Sequence, residues 1–123
     1  MAAALVCCAL WQSAGCRKPA GTPPAVTIEH AIAPWPARVG NATVTLRLSG
    51  PSGAAIHGAH IALEADMSHP GMRPEFGEAR EIANGPYQGR LAFTMAGDWV
   101  ILMHITLPGG RKLERQMEVH GVR

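Results

Sequence analysis

Cysteine is scarce in this chain, and its three copies all lie within the first sixteen residues. The residues after Cys16 contain no thiol, which excludes a disulfide and a thiolate metal site from that part of the chain. Long apolar runs are missing as well. The apolar stretch at residues 2–11 is much shorter than the ~20 residues of a membrane-spanning helix. A fold built after Cys16 must therefore rest on its apolar core alone.

An excess of charge of one sign is also lacking. Eleven basic and nine acidic side chains give a net charge of +2, and they are spread along the chain rather than gathered in a run. Few aromatic residues accompany them, so the sequence does not favour nucleic acid as a partner. There is no serine in a glycine-rich elbow and no phosphate-binding loop. We therefore expect a protein that is not an enzyme.

The start of the chain has the character of an export signal. Residues 1–15 carry no charge, and Ser13-Ala14-Gly15 places small residues directly before Cys16. This pattern resembles the cleavage box of bacterial lipoproteins, which predicts a signal peptide over residues 1–16 and a lipid on Cys16. The protein would then lie on the periplasmic side of a bacterial membrane, held by its lipid. Ser13 stands where that box usually has leucine, so a plain cleaved signal and an uncleaved anchor remain alternatives.

The rest of the chain divides into a tether and one domain. Residues 17–24 are rich in proline, glycine and lysine, and we interpret them as a flexible tether. Residues 25–123 alternate apolar and polar side chains between closely spaced turns, which indicates β-strands. The predicted strands are residues 26–33, 42–48, 60–67, 79–83, 87–95, 98–107 and 112–119.

These segments predict an all-β domain, an immunoglobulin-like antiparallel β-sandwich of about seven strands. The strand at residues 79–83 is expected at a sheet edge. The strands at residues 87–95 and 98–107 are expected to pair as a hairpin around Ala96-Gly97. The predicted core consists of inward-facing apolar side chains: Leu46, Leu48, Ile61, Leu63, Leu91, Phe93, Trp99 and Ile101.

One segment carries side chains suited to metal chemistry. Met67, His69 and Met72 place two thioethers around an imidazole within six residues. On a continuing strand Met67 and His69 would share a face, and Pro70-Gly71 would turn Met72 back toward them. Thioethers with imidazole favour copper, and Cu(I) in particular. Met95, predicted at a strand end, is a further candidate ligand.

A structural interpretation of the same residues stays open. Methionine is a common core filler, and Met67 falls on the inward face of its predicted strand. Met72 could pack over the end of the sandwich, and His69 could bond a loop carbonyl. His57 and His60, three residues apart, are either surface histidines or an accessory metal pair.

Several motifs together resemble the YtkA-like family of small exported bacterial proteins, which is related to the FixH-like proteins of cytochrome oxidase assembly. The main ones are Met-Ser-His-Pro-Gly-Met at residues 67–72 and Met-Ala-Gly-Asp-Trp at residues 95–99. Val-Gly-Asn at residues 39–41 and Gly-Pro-Tyr at residues 85–87 add to them. The resemblance covers roughly residues 25–119. It implies an immunoglobulin-like sandwich and a role in copper handling or oxidase maturation. The alternative function is a metal-free adaptor that docks to an envelope protein.

Overall fold

The computed structural model describes residues 24–83 and 85–123. The predicted signal peptide and Cys16 lie outside this range, as does the predicted tether up to residue 23. The described residues form seven β-strands, namely β1 (Thr27–Ala33), β2 (Gly40–Ser49), β3 (His60–Met67), β4 (Glu75–Glu81), β5 (Tyr87–Phe93), β6 (Gly97–Thr106) and β7 (Lys112–Val122). Within these ranges no helix is long and apolar enough to cross a bilayer.

All the strand pairs are antiparallel, and the strands follow the order β1-β2-β5-β4-β3-β6-β7 in one sheet. The sheet curls so that its two halves face each other across a shared core, as in a β-sandwich. β4 joins the halves, since it pairs with β5 on one side and with β3 on the other. The predicted all-β sandwich is confirmed.

Two predictions about strand neighbours are wrong. β5 and β6 do not form a hairpin: β5 pairs with β2 and β4, whereas β6 pairs with β3 and β7. The short link between them crosses from one half of the sandwich to the other. β4 is also not an edge strand, because it has a neighbour on both sides. Alternation along a strand shows which side chains point inward, but it does not identify the neighbouring strand.

The core lies between the two halves. Every predicted core residue is buried, and Leu46, Ile61 and Ile101 are fully inaccessible. The rings of Phe93 and Trp99, from opposite halves, lie 5.3 Å apart between centroids in a tilted arrangement. This aromatic contact packs the two halves together.

Glycines allow the close approach of strands at the corner where β4 joins β5. A Cβ on Gly89 would lie 2.5 Å from the carbonyl oxygen of Glu78 and 2.8 Å from a methyl group of Leu63. A Cβ on Gly77 would collide with the carbonyl of Arg90. No larger residue fits at either position without moving the backbone, so these glycines permit the sheet to fold over.

The sandwich has two ends of different character. We call one the Met end, formed by residues 34–39, 68–74 and 94–96. The other, which we call the tether end, is formed by residues 50–59, 82–83, 85–86 and 107–111. The chain enters at the tether end, where a guanidinium nitrogen of Arg111 donates a 2.6 Å hydrogen bond to the carbonyl of Pro24.

Candidate functional site

Met67 is the last residue of β3 and lies opposite Trp99 of β6. Its side chain points inward and is only 9 % exposed. Its terminal methyl reaches Gly97, where an added Cβ would lie 2.9 Å away. Met67 thus fills the floor of the Met end, as the structural interpretation of this residue expects.

His69 and Met72 belong to the loop that follows. β3 ends at Met67, so the alternation that would place His69 on the same face does not continue to it. The predicted turn at Pro70-Gly71 is present, with Gly71 at φ 83°, a backbone conformation that suits glycine. His69 is exposed, and Met72 is 37 % exposed.

Hydrogen bonds hold this loop against the start of β6, just after the link between β5 and β6. The backbone N–H of Ser68 donates to the carbonyl of Asp98 at 3.2 Å, and the Ser68 hydroxyl donates to the same oxygen at 3.3 Å. The Asp98 carboxylate accepts a 2.8 Å bond from the N–H of Gly121 in β7. The loop after β3, the start of β6 and the end of β7 are therefore tied together.

Met95 lies on that link, just beyond β5. Its backbone carbonyl accepts a 3.0 Å hydrogen bond from the indole N–H of buried Trp99. Its side chain is 47 % exposed, although the sequence places it on the inward face of a longer strand. Because β5 ends at Phe93, Met95 is free to turn outward. The Met end thus carries the exposed side chains of His69, Met72 and Met95 above buried Met67.

Two more apolar side chains are exposed at the Met end. Trp35, between Pro34 and Pro36, is 70 % exposed, and Val39 is 48 % exposed. The segment that bears them is fixed to the end of β7, because Val39 donates a backbone hydrogen bond to Arg123 at 2.7 Å. The Met end therefore also presents apolar surface.

The candidate ligands at this end are thioethers and one imidazole rather than a carboxylate cluster. Across the described residues, no three His, Cys, Asp or Glu side chains converge in a way that could hold a metal ion. Thioether sulfur is not among those groups. The chemistry available at the Met end is therefore that of soft sulfur ligands assisted by one nitrogen.

Two of the other histidines, His57 and His60, contact carboxylates away from the Met end. Nδ1 of His57 lies 2.7 Å from Glu81 at the tether end, and Nε2 of His60 lies 3.9 Å from Glu78 on the outer sheet face. These two histidines bind different carboxylates and do not form a pair, in agreement with the interpretation as surface histidines.

Sequence reasoning missed a histidine bridge on the outer face of β6. His104 lies 3.1 Å from Glu64 of β3 through Nε2 and 3.1 Å from Glu114 of β7 through Nδ1. The two carboxylates approach different ring nitrogens, so they link three strands and do not converge on one metal position. The sequence alone could not predict this bridge. Only the pairing of β6 with β3 and β7 brings Glu64 and Glu114 next to His104.

The tether end has its own polar cluster. The N–H of Gly58 and, after it, the side chain of His57 hold the pKa of Glu81 below its usual value. Next to it, Tyr87 donates to the carbonyl of Ile56 at 2.8 Å and accepts from the N–H of Ala59 at 3.0 Å. Burial raises the pKa of Tyr87. These bonds fasten residues 56–59 to β4 and β5, which indicates a structural role.

Fold and site together define a small all-β domain with a methionine-rich end. The profile of the YtkA-like family matches residues 25–104, well over half of the chain and including all four methionine and histidine candidates. The chain belongs to the YtkA-like family. Comparison with curated proteins and with solved structures found no match.

Proposed function

We propose that this protein is a copper-binding module of the bacterial cell envelope, with Cu(I) as the favoured ion and without enzymatic activity. The observation that carries the proposal is the exposure of Met72 and Met95 at one end of the domain, together with His69. Full burial of a methionine contributes about 1.5–3 kcal/mol, and the 37 % and 47 % exposure of Met72 and Met95 forgoes part of it. Two exposed thioethers at one end therefore call for an explanation beyond packing.

The ligand chemistry supports copper. Thioether sulfur is a soft, neutral donor that prefers Cu(I) to hard cations such as Mg²⁺ and Ca²⁺. The sequence after Cys16 has no thiol to compete for the ion. In the proposed site Met72 and Met95 supply sulfur and His69 supplies nitrogen. Met67, beneath them, would act as a fourth ligand only if its side chain turned outward.

Hydrogen bonds hold the loops of the proposed site in place, which supports its role in binding an ion. Trp99 fixes the backbone of Met95, and the Ser68–Asp98 bonds fix the start of the loop that bears His69 and Met72. A binding site whose loops are already ordered loses less conformational entropy when it takes up an ion. We propose that a lipid on Cys16 anchors the protein on the periplasmic side of the membrane. There it serves metal handling or oxidase maturation.

The test is a titration of the purified full chain, with Cys7, Cys8 and Cys16 replaced by Ser so that no thiol binds the ion, with Cu(I) against a competing chelator. Met72→Leu and Met95→Leu remove the sulfur and nearly keep the side-chain volume, and Met103→Leu is the matched control because Met103 is fully buried in β6. Each of the first two changes should weaken binding about tenfold or more, which corresponds to about 1.4 kcal/mol. The control should leave it unchanged. Equal affinities in all the variants would refute the proposal.

Acid adds a second readout. Only the neutral imidazole of His69 can ligate, whereas a thioether does not titrate. Cu(I) affinity should therefore fall in acid in the parent protein and stay nearly level in His69→Leu. This comparison separates the nitrogen ligand from general effects of acid on the fold.

A second candidate function is a metal-free adaptor that docks to an envelope protein. The exposure of Trp35 and Val39 favours it, because exposed aromatic side chains are common anchors of protein interfaces. Trp35→Ala should then abolish capture of a partner from a membrane extract, whereas Met72→Leu should leave it intact. If copper binding is instead the function, Met72→Leu should weaken Cu(I) binding and Trp35→Ala should leave it intact.

A further inference from the structure

The two ends of the sandwich are not equivalent with respect to the start of the chain. β1 starts at the tether end, where Thr27 pairs with Ser49, and it runs to Ala33 at the Met end. The Arg111–Pro24 hydrogen bond holds the incoming chain beside the β6–β7 turn. Whatever precedes Pro24 therefore leaves the domain at the end opposite to Met72 and Met95.

The short chain between Cys16 and Pro24 limits how a domain anchored at Cys16 can be oriented on the membrane. Eight residue steps separate Cys16 from Pro24, and a chain of this length spans at most about 29 Å even when fully extended. β2 runs the length of the domain, and its ten residues from Ser49 to Gly40 rise by about 31 Å at ~3.4 Å per residue. Pro24 lies three residues before the level of Ser49, and the loops of the Met end extend beyond Gly40.

We infer that, in the anchored protein, the tether end faces the membrane and the Met end faces away from it. For the Met end to point at the bilayer, Pro24 would have to stand more than about 31 Å above the surface, which is farther than the eight-residue tether reaches. The inference rests on the proposed lipid anchor, and it deepens the proposed function. A protein that exchanges copper with Met72 and Met95 approaches from the aqueous side.

The surface of the tether end is compatible with a position near lipid headgroups. Ile82 is 42 % exposed there, and it is held in a turn by its backbone hydrogen bond to Pro86 at 2.8 Å. The exposed ammonium of Lys112 stands at the start of β7 on the same end. An apolar side chain and a cation suit the boundary of an anionic bilayer.

The test uses the full chain, isolated from bacterial membranes and reconstituted in phosphatidylglycerol–phosphatidylethanolamine vesicles that contain a lipid with a nitroxide on its headgroup. Ala83→Cys places a fluorophore at the tether end, and Ala96→Cys places one at the Met end; both alanines are exposed. With the signal removed and the sulfur of Cys16 bound to its lipid as a thioether, the introduced thiol is the sole reactive one. The nitroxide should quench the label at position 83 several-fold more than the label at position 96.

A longer tether is the control. Inserting eight glycine and serine residues between Ala20 and Gly21 doubles the reach of the tether, and the difference between the two labels should then shrink. Equal quenching at the original length would overturn the inference, as would stronger quenching of the label at position 96. If the chain failed to float with the vesicles, it would lack the lipid anchor on which the inference rests, and the inference would fail. The copper titration in solution is independent of all three results.

Discussion

The indole N–H of Trp99 donates a hydrogen bond to the carbonyl of Met95, four residues earlier in the chain. Trp99 is 1 % exposed, whereas Met95 is 47 % exposed. A core residue thus fixes the backbone of a surface residue that belongs to the candidate site. Since the ring of Trp99 also packs on Phe93 across the sandwich, the stability of the core and the shape of the Met end depend on the same side chain.

Replacement of Trp99 by Phe tests this link. The change deletes the donor and leaves a space in the core, so the free energy of unfolding should fall by about 2–4 kcal/mol. On the proposed function, Cu(I) affinity should fall as well, because Met95 loses its backbone support. Urea unfolding and the chelator titration measure the two effects. Trp35→Phe is the matched control: its 70 % exposed ring predicts a change within about 0.5 kcal/mol.

The glycine corner gives a prediction that involves the fold alone. Gly89→Ala puts a methyl group 2.5 Å from the carbonyl of Glu78, where only backbone movement makes room. The free energy of unfolding should drop by about 1–3 kcal/mol or more. Gly50→Ala is the control, since its new Cβ has no atom within 4 Å and its backbone is not in the left-handed region. Similar stability of the two variants in urea would contradict this explanation of the corner.

The strand content could be predicted because each half of the sandwich buries one face of its strands. The alternation of Leu46 and Leu48 with Thr45 and Arg47 is visible in the sequence, and the structure confirms which of these face inward. Strand neighbours could not be predicted, because alternation contains no information on pairing. Ala96-Gly97 looks like a hairpin turn, yet it is a crossover between the two halves, because β5 pairs with β2 and β4 whereas β6 pairs with β3 and β7.

The site was predictable in composition but not in geometry. The sequence shows that Met67, His69 and Met72 are close along the chain. It cannot show that β3 stops at Met67, so the shared face assumed for His69 has no basis beyond that residue. Nor could it show that Met95 turns outward, since that depends on β5 ending at Phe93 and on the hydrogen bond from Trp99.

Acid should weaken the tether end through Glu81. The pKa of this carboxyl is lower in the folded protein than its usual value, because the N–H of Gly58 and then His57 favour the charged form. The stabilisation is therefore present above the ordinary pKa of glutamate and is lost as the pH falls through the lowered pKa of the folded state. Glu81→Gln should be less stable than the parent near neutral pH.

The difference in the free energy of unfolding between Glu81→Gln and the parent protein should then narrow in acid. Urea unfolding at a series of pH values measures it. Glu29→Gln is the control, because Glu29 is an exposed carboxylate on β1 for which no hydrogen bond or ion pair is found among the described residues. A gap between Glu81→Gln and the parent that stays constant from neutral pH into acid would show that the Gly58 and His57 contacts do not depend on the charge of Glu81.

Oxidation distinguishes the methionines of the Met end without any metal. Hydrogen peroxide transfers an oxygen atom to an accessible thioether and gives the sulfoxide and water, so its rate follows exposure. Met72 and Met95 should react well before Met67, which is 9 % exposed, and before Met103, which is fully buried. Peptide mass spectrometry after graded exposure to peroxide gives the order directly. If Met67 reacted as fast as Met72, its thioether would be reaching solvent in the folded protein. In that case Met67 would be available as a surface ligand rather than confined to the floor of the site.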